Sequence, residues 1–307
     1  MNTKKLLLLL PLLYIFSACA EKNSDPNLVS VSILPQKYFI DQLTDEQLRV
    51  NVMVPPGSSH ATYSPTPQQF QQLSASPLYM GIGHLGYETT WMSRLEELNA
   101  DMQVMILSEH TKLIEGACAH DEHAEHDGHE DHEAPEAHHH GVDPHIWMSP
   151  KVMLELLPQI KTSLQANYPH LADSIENNYP QLLEKLNDAH KRMQALAASL
   201  DNRQFLIFHP ALTYLARDYG LTQIAVEQDG KEPSPAYLAR LIDQAREENI
   251  PVIFIQKEYD LRNAETISRE AGIALVQIDP MRYDWTDSMN ELMTQIEQHL
   301  KSTATQP

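Results

Sequence analysis

Cysteine and basic residues are both scarce in this sequence. Its 307 residues include only 2 cysteines, too few for a zinc ribbon or a disulfide-stabilised scaffold. Lysine and arginine total 22 against 42 acidic residues, which gives a formal net charge of -20 with histidine neutral. Nucleic-acid phosphates are bound by clustered Lys and Arg, so this charge argues against a nucleic-acid partner.

Long apolar runs are missing as well. The N-terminal run Leu6–Phe16 has 11 residues, whereas about 20 are needed to span a bilayer. Lys4 and Lys5 precede this run and the small residues Ser17-Ala18 follow it. This pattern is typical of a secretory signal peptide, which we place at residues 1–18.

The cysteine that follows the signal peptide predicts a lipid anchor. Cys19 after small residues resembles a bacterial lipobox, in which the cysteine is acylated, although Phe16 stands where that motif usually has Leu. Residues 19–27 would then form a tether to the membrane. The alternative is ordinary secretion with Cys19 unmodified.

The full sequence is 42% hydrophobic, and the chain is long enough for two domains. Short apolar runs alternate with helical patterns in two separate series. Such alternation predicts two α/β lobes with parallel sheets, at residues 28–168 and 201–307. The predicted strands are Leu28–Ile33, Arg49–Val54, Leu78–Ile82 and Val104–Leu107 in the first lobe, and Phe205–Phe208, Ile224–Val226, Val252–Ile255 and Ala274–Ile278 in the second.

A helical stretch lies between the two series. We expect each of its prolines, Pro158, Pro169 and Pro180, to break or begin a helix. After Pro180, apolar residues recur at steps of three and four, which predicts an amphipathic helix. We therefore predict a long, rigid linker helix at residues 169–200. The apolar positions are Leu182, Leu183, Leu186, Ala189, Met193 and Leu196.

Histidine is abundant, with 16 residues, and half of them fall in one insertion at residues 119–140. This segment also has eight acidic residues and no Lys or Arg, so it cannot bury enough apolar surface to fold alone, and we predict that it is disordered without metal. It is either an accessory metal-collecting arm or a disposable insertion that binds any divalent ion. Its histidines are His120, His123, His126, His129, His132, His138, His139 and His140.

Four other side chains form a candidate metal site. His60, His209 and Asp279 follow predicted strands, and His145 lies in a loop before a predicted helix. Ligands of open α/β sheets bind beyond the carboxyl ends of the strands. Three imidazoles and one carboxylate suit tetrahedral zinc. Imidazole also suits copper, iron and nickel, so these residue types alone do not identify the metal.

Four short motifs around these residues resemble those of a known family. They are Val54–Pro67 with the sequence VPPGSSHATYSPTP, Asp143–Trp147 with DPHIW, Phe208–Leu215 with FHPALTYL, and Ile278–Pro280 with IDP. Together they resemble the ligand motifs of the metal-binding (cluster A-I) solute-binding proteins of ABC transporters, in particular the zinc-uptake, ZnuA-like members. The resemblance runs from about Val29 to the C-terminus.

The resemblance implies a fold and a function. In this family a rigid helix joins two α/β lobes, and the metal is bound in the cleft between them. His60, His145, His209 and Asp279 would be the ligands, and histidine rather than glutamate at the third position favours zinc over manganese. Asp279 stands where some members have Glu, so the fourth ligand is either this carboxylate or water. Ser59 stands where some zinc members have an acidic residue.

The resemblance therefore implies an exported zinc-binding protein, periplasmic or held at the cell surface by its lipid. It would capture Zn²⁺ and deliver it to a membrane permease and, through the permease, its ATPase. One alternative is a manganese- or iron-binding protein of the same family. Another is a metal-storage or adhesin lipoprotein in which the insertion is the active part.

An enzyme is the least favoured class. The sequence has no His-Glu-x-x-His or Gly-x-Ser-x-Gly motif and no evident general base beside a candidate ligand. Two further expectations concern the surroundings of the site. Glu227 and Glu232 are expected to be exposed to solvent in a turn; the alternative is that one of them approaches the site. Trp147 is expected to form part of the core or of a cleft wall.

Overall fold

The computed structural model describes residues 24–60, 62–91, 99–114, 141–228 and 231–301. The predicted signal peptide, Cys19 and the histidine-rich insertion lie outside these ranges. The strands are β1 (Leu28–Ile33), β2 (Arg49–Val54), β3 (Leu78–Gly81), β4 (Gln103–Ile106), β5 (Gln204–Ile207), β6 (Thr222–Ala225), β7 (Val252–Gln256) and β8 (Ala274–Ile278). The helices are α1 (Leu34–Thr44), α2 (Pro67–Ala75), α3 (Pro150–Asn167), α4 (Ala172–Ala198), α5 (Thr213–Tyr219), α6 (Pro235–Glu247), α7 (Arg262–Ala271) and α8 (Trp285–Leu300).

The strands form two four-stranded sheets in which every pairing is parallel. The order is β2-β1-β3-β4 in the N-terminal lobe and β6-β5-β7-β8 in the C-terminal lobe. The central strands β1 and β7 are buried along their whole length, which explains why they read as continuous apolar runs. All eight strands were predicted, and the α/β class with two parallel sheets is confirmed.

Helix α4 is the predicted linker helix. Its 27 residues span about 40 Å at 1.5 Å per residue, and a short 3₁₀ turn at Pro169–Leu171 separates it from α3. Its buried stripe includes Leu182, Leu186 and Met193, as the periodicity predicted. In the described ranges no helix combines the length and apolarity needed to cross a bilayer.

The expectation that every proline of this stretch would break or begin a helix is wrong for two of them. Pro169 begins the 3₁₀ turn, but Pro158 lies inside α3 and Pro180 inside α4. An interior proline costs a helix about 3 kcal/mol. Both prolines are on the exposed side, where water can bond the freed carbonyl, and the opposite faces are buried in the core.

The two lobes are packed directly against each other. One hydrophobic core runs from the N-terminal sheet through α4 to β5 and α8. Two indoles add hydrogen bonds across the boundary: Trp147 Nε1 donates to the Pro280 carbonyl at 2.9 Å, and Trp285 Nε1 donates to the Trp147 carbonyl at 2.7 Å. The lobes therefore form two fixed walls around the ends of their sheets.

Candidate metal centre

Three of the predicted ligands converge at the ends of the two sheets. His60 follows β2 after a turn, His209 follows β5, and His145 precedes a 3₁₀ turn at Ile146–Met148. One ligand atom from each ring lies within 4.8 Å of the other two. His60 and His145 are buried, and His209 is partly buried. We call these three rings the histidine cluster.

The spacing of the nitrogens suits a single tetrahedral ion. Nε2 of His60 and Nε2 of His145 are 2.9 Å apart, within hydrogen-bond distance. Zn–N bonds of 2.0–2.1 Å separate two ligand nitrogens of a tetrahedron by about 3.3 Å. The observed spacings, from 2.9 Å to at most 4.8 Å, bracket that value. Small ring movements would therefore place all three nitrogens on one zinc ion.

Two carboxylates fix the orientation of two of these rings. Nδ1 of His145 lies 2.8 Å from Asp143 Oδ1, and Nδ1 of His209 lies 2.8 Å from Glu227 Oε2. A carboxylate that accepts the Nδ1 proton leaves the Nε2 lone pair free for a metal. Consistent with this, Nε2 of His209 is buried and has no hydrogen-bond partner in the described part of the chain.

The expectation that Glu227 is exposed to solvent is wrong, since its side chain is only 8% exposed. The register of the sheet explains its position. Ile207 of β5 pairs with Ala225 of β6, so two residues further along His209 and Glu227 become neighbours on adjacent strands. Glu232 is exposed, as predicted.

Asp279 does not join the histidine cluster. Its Oδ2 instead lies 3.1 Å from Lys257 Nζ, and its side chain is 27% exposed. The same kind of register accounts for this pair, because Gln256 of β7 pairs with Ile278 of β8 and the next residues on each strand are Lys257 and Asp279. The structure thus brings together three of the four predicted ligands, and ligation by Asp279 stays a prediction.

Aromatic rings close the site on both sides. The Tyr259 ring stacks on His209, with centroids 5.3 Å apart and planes at 17°. Trp147 packs against His145 with centroids 5.2 Å apart, so this tryptophan is a wall of the site, as predicted. On the C-terminal lobe, Gln256 Nε2 also donates to the His209 carbonyl at 2.7 Å. These contacts restrict the rings to a narrow range of orientations.

Burial favours the neutral form of His60 and His145, which is the form that binds metal. It holds the pKa of His60 well below the usual value of 6.5, and the neighbouring His145 and His209 lower this pKa further. Burial also lowers the pKa of His145, although Asp143 opposes the effect. Burial alone would raise the pKa of Asp143, but His145 outweighs it and lowers that pKa.

The stability of the metal-free protein is expected to fall as the pH drops from 7.5 to 5.5. His60 takes up a proton near pH 6.5 in the unfolded chain but only at much lower pH in the folded chain. Below pH 6.5 the unfolded state therefore binds more protons, and folding loses about 1 kcal/mol by pH 5.5. Denaturant titrations in a chelator at the two pH values would measure this loss.

Two glutamine variants make that measurement specific. In His60→Gln the free energy of unfolding should fall by about 1 kcal/mol less between pH 7.5 and 5.5 than it does in the parent. In His110→Gln, at an exposed position, it should fall as much as in the parent. An equal pH dependence in both variants would contradict the assignment of His60 as a buried neutral imidazole.

Comparison with known proteins identifies the family. The model of the family described as zinc-uptake complex component A, periplasmic (ZnuA), matches residues 29–299. The chain belongs to this family. The resemblance inferred from the four motifs is thereby confirmed.

Individual relatives and a solved structure agree with this membership. The high-affinity zinc uptake system protein ZnuA of Bacillus subtilis is 28% identical over 257 residues, which cover 82% of this chain and 78% of the relative. The zinc-binding lipoprotein AdcA of Streptococcus pneumoniae R6 is 26% identical over 276 residues, 88% of this chain and 53% of the relative. The chain thus spans about half the length of AdcA. A crystal structure of ZnuA matches with a TM-score of 0.78 at 30% identity, over 90% of this chain and 100% of that one.

Proposed function

We propose that this zinc-uptake family member is the extracytoplasmic component of a high-affinity ABC transporter, which captures Zn²⁺ and delivers it to a membrane permease. The observation that carries the proposal is the convergence of His60, His145 and His209 within 4.8 Å, with His209 Nε2 buried and unpaired among the described residues. Three imidazoles suit zinc better than manganese, whose sites lean on carboxylates.

Capture is an exchange of ligands. The neutral imidazoles replace water around the ion, and the buried carboxylates of Asp143 and Glu227 balance its two charges through the rings that they hydrogen-bond. Asp279 or a water molecule completes the tetrahedron. The family description, a component of an uptake complex, supports binding and transfer rather than hydrolysis.

The remaining parts of the proposal concern the location and partners of the protein. Cys19 would carry the lipid that anchors the chain to a bacterial membrane, and AdcA, one of its relatives, is named a lipoprotein. Delivery would involve a permease and, through it, an ATPase. The eight histidines of the insertion at 119–140 would collect metal nearby and raise its local concentration.

A competitive zinc titration tests the proposal. The chain from residue 20 onward is compared with the same chain lacking residues 119–140. We expect both proteins to bind one zinc with the same high affinity, while the longer chain also binds additional zinc weakly. A deletion variant without any tight site would overturn the proposal and favour metal storage by the insertion.

A further inference from the structure

The fourth predicted ligand is paired with a lysine. Lys257 follows β7 and Asp279 follows β8, and the register makes them neighbours on adjacent strands. Lys257 Nζ lies 3.1 Å from Asp279 Oδ2, a charge-assisted hydrogen bond. The ammonium partly neutralises the charge of this carboxylate and so weakens it as a ligand for a metal. The carboxylate therefore has two possible cationic partners, the lysine and the metal.

The pair is placed so that it can separate. The Lys257 side chain is 59% exposed and that of Asp279 is 27% exposed, so breaking the pair leaves neither charge buried without water. Both residues line a polar groove of about 530 Å³ between β8 and α8. Asp287 lines the same groove, and its carboxylate would attract the lysine once it is released. Glu291 also lines the groove but is already paired with Arg282 at 2.8 Å.

We propose that Lys257 competes with the bound metal for Asp279 and thereby tunes both the affinity for zinc and the rate of its release. The inference rests on the function proposed above. On capture, Asp279 exchanges the ammonium of Lys257 for the ion, and Lys257 turns into the groove. On release, Lys257 takes the carboxylate back, so the ion leaves with only the histidine cluster to hold it.

The charges of the site favour this exchange. An ion held by Asp279 would repel the nearby ammonium, which adds to the separation of the pair. Exposed ion pairs contribute little, at most about a fivefold change in an equilibrium constant, so the competition adjusts affinity by a modest factor rather than preventing binding.

The test is a double-mutant cycle on zinc binding by the full mature chain. Lys257→Met is expected to bind zinc about threefold to fivefold more tightly and to release it to a chelator more slowly by a similar factor. In the Asp279→Asn background the same substitution should change affinity by no more than about twofold. Lys231→Met, at an exposed position, is the control for the loss of one positive charge and should bind as the parent does.

The outcomes separate this inference from the function on which it rests. An unchanged or weaker affinity in Lys257→Met would overturn it, as would an equal gain in the Asp279→Asn background, which would mean that the lysine acts only through long-range charge. If Asp279→Asn binds zinc as the parent does, the exchange is also excluded. In all these cases the proposed function stands as long as the parent binds one zinc tightly. A parent without a tight site would contradict the proposed function itself.

Discussion

Replacing His209 by alanine is expected to weaken zinc binding by a factor of about a hundred to a thousand. Apparent binding free energies of four-ligand zinc sites are about 10–16 kcal/mol, so each ligand contributes about 3–4 kcal/mol. His209 supplies a nitrogen that is buried and unpaired within the described ranges, so its loss removes a ligand without breaking another hydrogen bond of that atom. Competition with a chelating indicator at fixed pH measures the change.

A histidine on the linker helix provides the control for that variant. His190 bonds the Tyr219 hydroxyl through Nδ1 at 2.9 Å and is not part of the histidine cluster. His190→Ala should bind zinc with the affinity of the parent. If the two variants bind zinc equally well and both remain folded by circular dichroism, His209 is not a ligand.

Removing the charge that orients His209 is expected to weaken zinc binding by about tenfold to a hundredfold. Glu227→Gln keeps the size of the side chain but lowers the basicity of the imidazole, and it allows the amide to donate to Nδ1 and favour the wrong tautomer. The same argument applies to Asp143→Asn and His145. The affinity of each variant is measured by the same competition titration.

Glu232→Gln is the matched control, because it removes the same charge from an exposed position in the same region of the chain. It should leave the affinity unchanged. A loss of affinity in Glu232→Gln equal to that in Glu227→Gln would mean that net charge, rather than the contact with His209, accounts for the effect.

Sequence patterns were sufficient for the framework of the fold. The runs Leu28–Ile33, Arg49–Val54 and Ala274–Ile278 are strands with the predicted bounds, because each is rich in β-branched and other apolar residues and is bounded by turn residues. The rule that ligands bind beyond the carboxyl ends of strands likewise predicted that His60 and His209 lie in one site, as they do.

The contacts that the sequence patterns did not predict depend on how the strands pair. Glu227 reaches His209, and Lys257 reaches Asp279, only because adjacent strands are in a particular register. A single sequence specifies where strands lie but not which residues stand side by side. The end-of-strand rule, applied to β6 and β7 as well, would have singled out Glu227 and Lys257 as candidates near the site.

Tertiary packing explains the error with the prolines. Their local preference is to end a helix, and Pro158 and Pro180 do not, because the opposite face of each helix is buried over several turns. The free energy gained by burying the opposite face therefore exceeds the cost of the proline. The exposed side on which each proline falls can be read from the helical period once the buried face is known.

The contact between the lobes also shapes the thermodynamics of capture. With Trp147 bonded to the backbone at Pro280 and Trp285 bonded to the backbone at Trp147, the walls of the site are assembled before an ion arrives. Binding in such a preorganised site does not have to bear the entropic cost of closing two independent domains. The side-chain contacts that an ion must break, such as the one between His60 and His145, then set the main cost of binding. Discrimination among ions depends on side-chain geometry rather than on the energy of a hinge.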